Sequence, residues 1–187
     1  MTDRIIINQA IRNLAENGSE DALRTLYLAY YARLRSFVDY YVLSDVEAEE
    51  AISDTFLSLW MNRDHLNEID NFDTYIFKIA KYKAITSFRT GLKEKKRLPT
   101  NSDAGLHLND VPESRTPESS IISAETVSRL DKALDSLPAR CRLVFQMVRL
   151  DKLRYKTVAE ILGLSVKTVE NHVAHAVSRL RKALTEE

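Results

Sequence analysis

The chain has 187 residues, with 27 basic and 27 acidic side chains, a formal net charge of zero, and one cysteine, Cys141. A single cysteine excludes an intrachain disulfide framework, and no apolar run is long enough to span a bilayer, so disulfide scaffolds and membrane-embedded proteins drop out. With 44% apolar residues the chain can build real cores, and four Gly, four Pro and little two-residue alternation predict a mostly helical protein.

The opening segment MTDRIIINQAIRNLAENGSEDAL has no basic end followed by a long apolar stretch, so the protein is expected to stay in the cytoplasm where it is made. Helical periodicity predicts helices over Ile5 to Asn17, Glu20 to Val42, Asp45 to Met61, and Phe72 to Thr90 or a little beyond. The third helix is acidic. Its Glu47, Glu49, Glu50 and Asp54 suit a basic protein partner rather than DNA, while Phe56, Leu59 and Trp60 are expected to anchor it inside its own domain. In the fourth the sign reverses: after Asp70 and Asp73 come Lys78, Lys81, Lys83, Arg89, Lys93, Lys95, Lys96 and Arg97, opposed by Glu94. Phe72, Ile76, Ile79 and Lys83 fall along one stripe, with Tyr75, Phe77, Tyr82 and Phe88 spread around it. Rings beside lysines suit single-stranded DNA, because bases stack on rings while cations follow the backbone, at roughly 1 to 3 kcal/mol per stacked base. The competing reading places the same rings in a core.

From Gly91 to Ser120 the sequence holds Pro99, Pro112 and Pro117 among Ser, Asn and Asp, with few large apolar residues, and is predicted to be a flexible linker that lets the halves move independently. Beyond it, helices are expected over Ser123 to Ser136 and from Leu137-Pro138 to about Leu150. Then comes YKTVAEILGLSVKTVENHVAHAVSRL, Tyr155 to Leu180. Val158, Ile161 and Leu162 give a short amphipathic helix, Gly163 a tight turn, and Ser165 a cap for the next helix, which together predict a helix-turn-helix. In that second helix Val166, Val169, Val173, Ala176 and Leu180 are expected to face inward, leaving Lys167, Thr168, Glu170, Asn171, His175 and Arg179 for a DNA groove. Asn171 suits adenine and Glu170 cytosine, whereas Lys156 and Arg179 suit phosphates. The excess of basic residues between Ala139 and Lys182 supplies a second phosphate-holding surface. His172 and His175 could share a metal only if a Cys or carboxylates converged on them. No such set is evident, and no metal, cofactor or catalytic group is expected.

The order of parts resembles the extracytoplasmic-function class of bacterial sigma factors, over nearly the whole chain. AEEAISDTFLSLW, Ala48 to Trp60, is similar to the family helix that binds the clamp of core RNA polymerase, on its beta-prime subunit. FDTYIFKIAKYKAITSFR, Phe72 to Arg89, resembles the segment that opens and reads the −10 element. LPARCRLVF, Leu137 to Phe145, with the helix-turn-helix, resembles the −35 reader, and KTVENH is most like the iron-citrate-type branch. The resemblance implies an all-α protein of two small domains, residues 1–92 and 123–187, joined by a linker at 93–122. It implies polymerase contacts at Glu49, Glu50, Ser53 and Asp54, and −10 contacts at Tyr75, Lys78, Lys81, Tyr82 and Arg89. It puts −35 contacts at Lys156, Lys167, Thr168, Glu170, Asn171, His175 and Arg179, and adds an anti-sigma protein to core polymerase and promoter DNA as partners. Three positions depart from the family pattern: Tyr82 where Asn is usual, Thr86 where Asp is common, and Ser53 in place of Gln. Tyrosine has one hydroxyl and cannot copy an amide's paired donor and acceptor, so the family's −10 base preference does not carry over. The alternative is a response-regulator-like activator, since KTVENH also occurs in that class, where it accompanies an α/β receiver domain.

Overall fold

The computed structural model describes residues 2–97 and 132–185, and every regular element among them is helical. Helix α1 covers Thr2–Asn17, α2 Glu20–Val38 and α3 Asp45–Met61, followed by a 3-10 turn at Arg63–Glu68 and by α4 at Phe72–Arg97. Polar residues set the starts. The Ser19 hydroxyl accepts from the Ala22 N–H at 3.2 Å, and Ser44 does the same for Glu47 at 3.3 Å. Glu47 in turn reaches back to the Leu43 N–H at 3.0 Å, so donors that α3 would leave unpaired are satisfied on both sides of its cap. Helix α2 ends earlier than the predicted Val42, because the Tyr41 N–H turns back onto the Val38 carbonyl at 2.8 Å. Leu14, Leu26, Leu34, Phe37, Ile52, Leu59, Leu66, Ile76 and Phe77 are fully buried between these helices.

A helical turn at 132–135 leads into α5, Ala139–Phe145, which relaxes into a π turn at Gln146–Leu150. The helix expected to run to Leu150 is thus two geometries, closed by the Asp151 N–H on the Gln146 carbonyl and the Leu153 N–H on the Met147 carbonyl, each at 3.0 Å. Helix α6 covers Tyr155–Leu162 and α7 Val166–Thr185. Gly163 between them sits in the left-handed region at φ 69, and a Cβ there would meet nothing within 4 Å, so backbone conformation rather than space calls for glycine. The Leu164 N–H closes the turn on the Ala159 carbonyl at 2.8 Å, and the Ser165 hydroxyl caps α7 through the Thr168 N–H at 3.0 Å. Val169, Val173, Ala176 and Leu180 are buried as predicted, but Val166 is 41% exposed: in the first turn of α7 it projects before the helix meets its neighbours.

The linker prediction falls mostly on residues outside those described, although α4 continues into it as far as Arg97. In this structure helices α4 and α6 pack together, and Arg33, Asn71, Lys78 and Lys81 all bond to residues of the second half.

Candidate nucleic-acid interface

Helix α7 presents its outward face much as its spacing predicts. Lys167, Glu170, Asn171, His175 and Arg179 are exposed, and buried Val169, Val173 and Ala176 hold that face outward from α5 and α6. Thr168 is only half exposed, and its hydroxyl is 2.8 Å from the Ser165 hydroxyl, which ties it to the cap. Lys167 donates to Glu170 at 3.1 Å, a pair exposed enough to be exchanged for a base or a phosphate at little cost. Lys156 lies exposed on α6, while Arg179 reaches the Ser136 carbonyl at 3.5 Å, the outer limit of a hydrogen bond.

A third group does converge on the two histidines, which the sequence did not reveal. Cys141 Sγ, on α5, is hydrogen-bonded to His172 Nδ1 at 3.0 Å and lies 3.7 Å from His175 Nδ1. Burial pushes the Cys141 thiol up, with Arg179 opposing, which favours its protonated form in the metal-free chain. Among the described residues no group of three His, Cys, Asp or Glu is arranged to hold a metal ion. The thiol instead braces α5 against the recognition face of α7.

On α4, spacings of three, four and seven put Tyr75, Lys78, Tyr82 and Arg89 along one face. Tyr82 is 69% exposed and Arg89 is exposed, whereas Tyr75 is half-buried, and burial raises its phenol pKa. Phe77 belongs to the core. Fully buried, it packs edge-on to Phe37 with ring centroids 5.0 Å apart and takes the Arg33 guanidinium at 5.5 Å, so it offers no platform to a base. The buried stripe of α4 is Thr74, Ile76, Phe77, Ala80 and Ala84, not the stripe containing Ile79 and Lys83, both of which are half-exposed.

The acidic helix α3 pairs its charges with two different neighbours, α2 and α4. Glu49 accepts from the Tyr31 hydroxyl at 2.6 Å and from Arg35 at 3.0 Å, and Arg35 also holds Asp39 and Asp45, so Glu49 is committed to joining α2 and α3. Desolvation of Arg35 is outweighed by these carboxylates, which raise its pKa. Glu50 accepts from the Ser87 hydroxyl at 3.1 Å and Asp54 pairs with Lys83 at 3.5 Å, while Ser53 is exposed. Phe56 and Leu59 are buried and Trp60 partly so, as their anchoring role requires. The sequence reading missed an apolar component. Val46 (78% exposed), Leu57 (54%) and Met61 (71%) project at helical spacing beside Glu50 and Ser53, a stripe too apolar to be a purely solvated face.

Among the described residues no helix is long and apolar enough to cross a membrane. The first half contains no strand among those residues, which removes the α/β receiver domain that the alternative reading requires. Residues 26–93, from α2 through most of α4, match sigma-70 region 2, and residues 128–180, which include the helix-turn-helix, match sigma-70 region 4. The ferric citrate uptake sigma factor FecI of Escherichia coli (strain K12) is 30% identical over 153 residues, covering 82% of this chain and 85% of that protein. The ECF RNA polymerase sigma-E factor of Haemophilus influenzae is 23% identical, covering 91% of this chain and 92% of its own. Two solved structures share the fold. CnrH in complex with the cytosolic domain of CnrY has a TM-score of 0.53 at 20% identity, covering 98% of this chain and 97% of that one. The sigma factor RpoE in complex with the anti-sigma factor NepR from Bartonella quintana has a TM-score of 0.63 at 22% identity, covering 90% and 99%. A basic aromatic helix and a groove-reading helix-turn-helix on one chain, matching regions 2 and 4 in that order with a 30% identical relative over most of its length, place this protein in the extracytoplasmic-function class of sigma factors, which bind core RNA polymerase and direct it to promoters.

Proposed function

We propose that the roles divide by surface: α7 reads the −35 element, the outer face of α4 meets the −10 element, and the exposed stripe of α3 docks on the polymerase clamp. Residues 1–92 and 123–187 act as the two DNA-reading domains, with 93–122 between them. Lys167, Glu170, Asn171 and His175 supply base contacts, with Thr168 at their edge, and Lys156 and Arg179 hold phosphates. Tyr75, Lys78, Lys81, Tyr82 and Arg89 face the −10 strand. The observation that carries this reading is the exposed polar face of α7, aimed by a left-handed Gly163 and capped by Ser165. The protein acts in the cytoplasm, contributes recognition and strand opening, and leaves the chemistry to polymerase. Relatives in fold were solved bound to an anti-sigma factor or a cytosolic domain of another protein, which supports an anti-sigma partner here as well.

For the clamp surface, Glu50, Ser53 and Asp54 act beside Val46, Leu57 and Met61, with half-exposed Glu49 at the edge, where it also ties α3 to α2. Reversing Glu50 and Asp54 to Lys should therefore weaken binding to core polymerase by about tenfold or more, since like charges then face a basic partner. Far-ultraviolet circular dichroism should stay unchanged, because both carboxylates are partly exposed and make only surface bonds. Polymerase pull-down undiminished by the double variant would show that the clamp is met elsewhere.

A further inference from the structure

We propose that Tyr31 and Arg35, on α2, are positioning residues for polymerase binding: together they fix the Glu49 carboxylate so that its second oxygen is already set for a basic group of the clamp. The inference rests on the assignment of the clamp surface to α3. The Glu49 side chain is 47% exposed, and it lies one helical turn from exposed Val46 and one from exposed Ser53, so it borders the docking stripe. Its ties to α2 use one oxygen. The Tyr31 hydroxyl donates to Oε1 at 2.6 Å, and Arg35 Nη1 donates to the same atom at 3.0 Å. Neither bond uses Oε2, which is left for a partner.

The two donors are themselves held. The Tyr31 ring packs on Tyr27 with centroids 5.2 Å apart, and Tyr27 packs in turn on buried Phe56 of α3 at 4.8 Å, which fixes the hydroxyl over the seam between α2 and α3. The bond to Glu49, followed by burial, pushes the Tyr31 phenol up to about 12 with Arg35 opposing, so it stays a donor at neutral pH. Arg35 is gripped on its other nitrogens. Its Nε donates to Asp39 at 2.9 Å and its Nη2 to Asp45, which leaves Nη1 for Glu49. One guanidinium among three carboxylates leaves the patch negative, so holding Glu49 does not cancel its attraction for a cation.

A glutamate free to rotate loses its rotamer freedom when a partner grips it, a cost equivalent to about two- to tenfold in affinity. Here that ordering takes place on folding, before polymerase arrives. A carboxylate can accept at two oxygens, so bonds confined to Oε1 keep half of the group open while setting its direction. Were Glu49 only a tie between helices, losing the Tyr31 hydroxyl would act on polymerase binding in the same way whether or not the carboxylate was present. Acting through Glu49, Tyr31 matters only while that charge is there.

Binding of the fluorescently labelled full chain to core polymerase, measured across a double-mutant cycle under conditions where every variant is folded, tests this. Tyr31→Phe removes the hydroxyl and keeps the ring on Tyr27. It should weaken polymerase binding about two- to tenfold, with far-ultraviolet circular dichroism unchanged. Glu49→Gln should weaken binding about tenfold and flatten its salt dependence, because one charge contact is lost. In the Glu49→Gln background Tyr31→Phe should cost less than about twofold more. Arg35→Lys, which keeps the charge but loses the planar fork, should likewise weaken binding only while Glu49 is present. Equal losses in both backgrounds, or no loss from Tyr31→Phe, would overturn the positioning role. Undiminished binding by Glu49→Gln, with weak binding by the Glu50→Lys/Asp54→Lys protein, would also overturn it and leave the clamp surface on α3 standing. Full binding by all of these variants would overturn both.

Discussion

Phe77→Ala should destabilise the protein by about 3 to 5 kcal/mol, while Tyr82→Ala, five positions along the same helix, should change stability by no more than about 0.5 kcal/mol. Phe77 is fully buried against Phe37 and Arg33, so truncation removes its transfer free energy and leaves a cavity that the well-packed neighbours cannot fill. Such a loss is a large part of the total stability of a small domain. Tyr82 is 69% exposed and touches no core. Its removal should be read only in DNA: holoenzyme carrying Tyr82→Ala should bind a forked −10 probe more weakly by about 1 to 3 kcal/mol, the worth of one stacked base. Urea unfolding and probe binding on the two variants separate the roles. Equal destabilisation by both would mean that α4 is rotated relative to this structure.

The second large effect belongs to Asn171. Exposed on the groove-reading face of α7, it can pair bidentately with adenine, so Asn171→Ala should cost about 1 to 3 kcal/mol on the preferred −35 sequence and relax the choice at one base. Arg179→Ala should weaken all duplexes alike and reduce the salt slope by about one, because a phosphate contact carries affinity without selection. Both are read from binding to a randomised −35 library at two salt concentrations. An even loss across sequences for Asn171→Ala would show a different docking of the helix.

What could be read from the chain followed its local physics. Apolar spacing located every long helix among the described residues, Gly163 and Ser165 marked the helix-turn-helix, and the polar face of α7 emerged nearly whole, because in each case the signal lies within a few residues of its effect; most of the helix expected over Ser123 to Ser136 lies outside those residues. The misses were all tertiary. Phe77 and Tyr82 are both rings on a basic helix, and only the position of Phe37 decides which one is buried. Glu49 reads as an unpaired carboxylate, and its partners Arg35 and Tyr31 come from another helix. The exposure of Val46, Leu57 and Met61 depends on where α3 meets its neighbours, and the meeting of Cys141 with His172 spans a gap that no spacing rule crosses. The contact of α4 with α6 is of the same kind: its parts lie some eighty residues apart in sequence, with partners set by the fold alone.

The central claim is that this chain gives core RNA polymerase a choice of promoter. Run-off transcription by core polymerase on a pool of templates randomised at the −35 and −10 elements measures that choice directly, with and without the protein. The account predicts specific initiation only when both are present, from templates sharing one −35 sequence, with the preference at a single −35 base lost in Asn171→Ala. Initiation that is equally frequent on all templates, or unchanged by adding the protein, would contradict it.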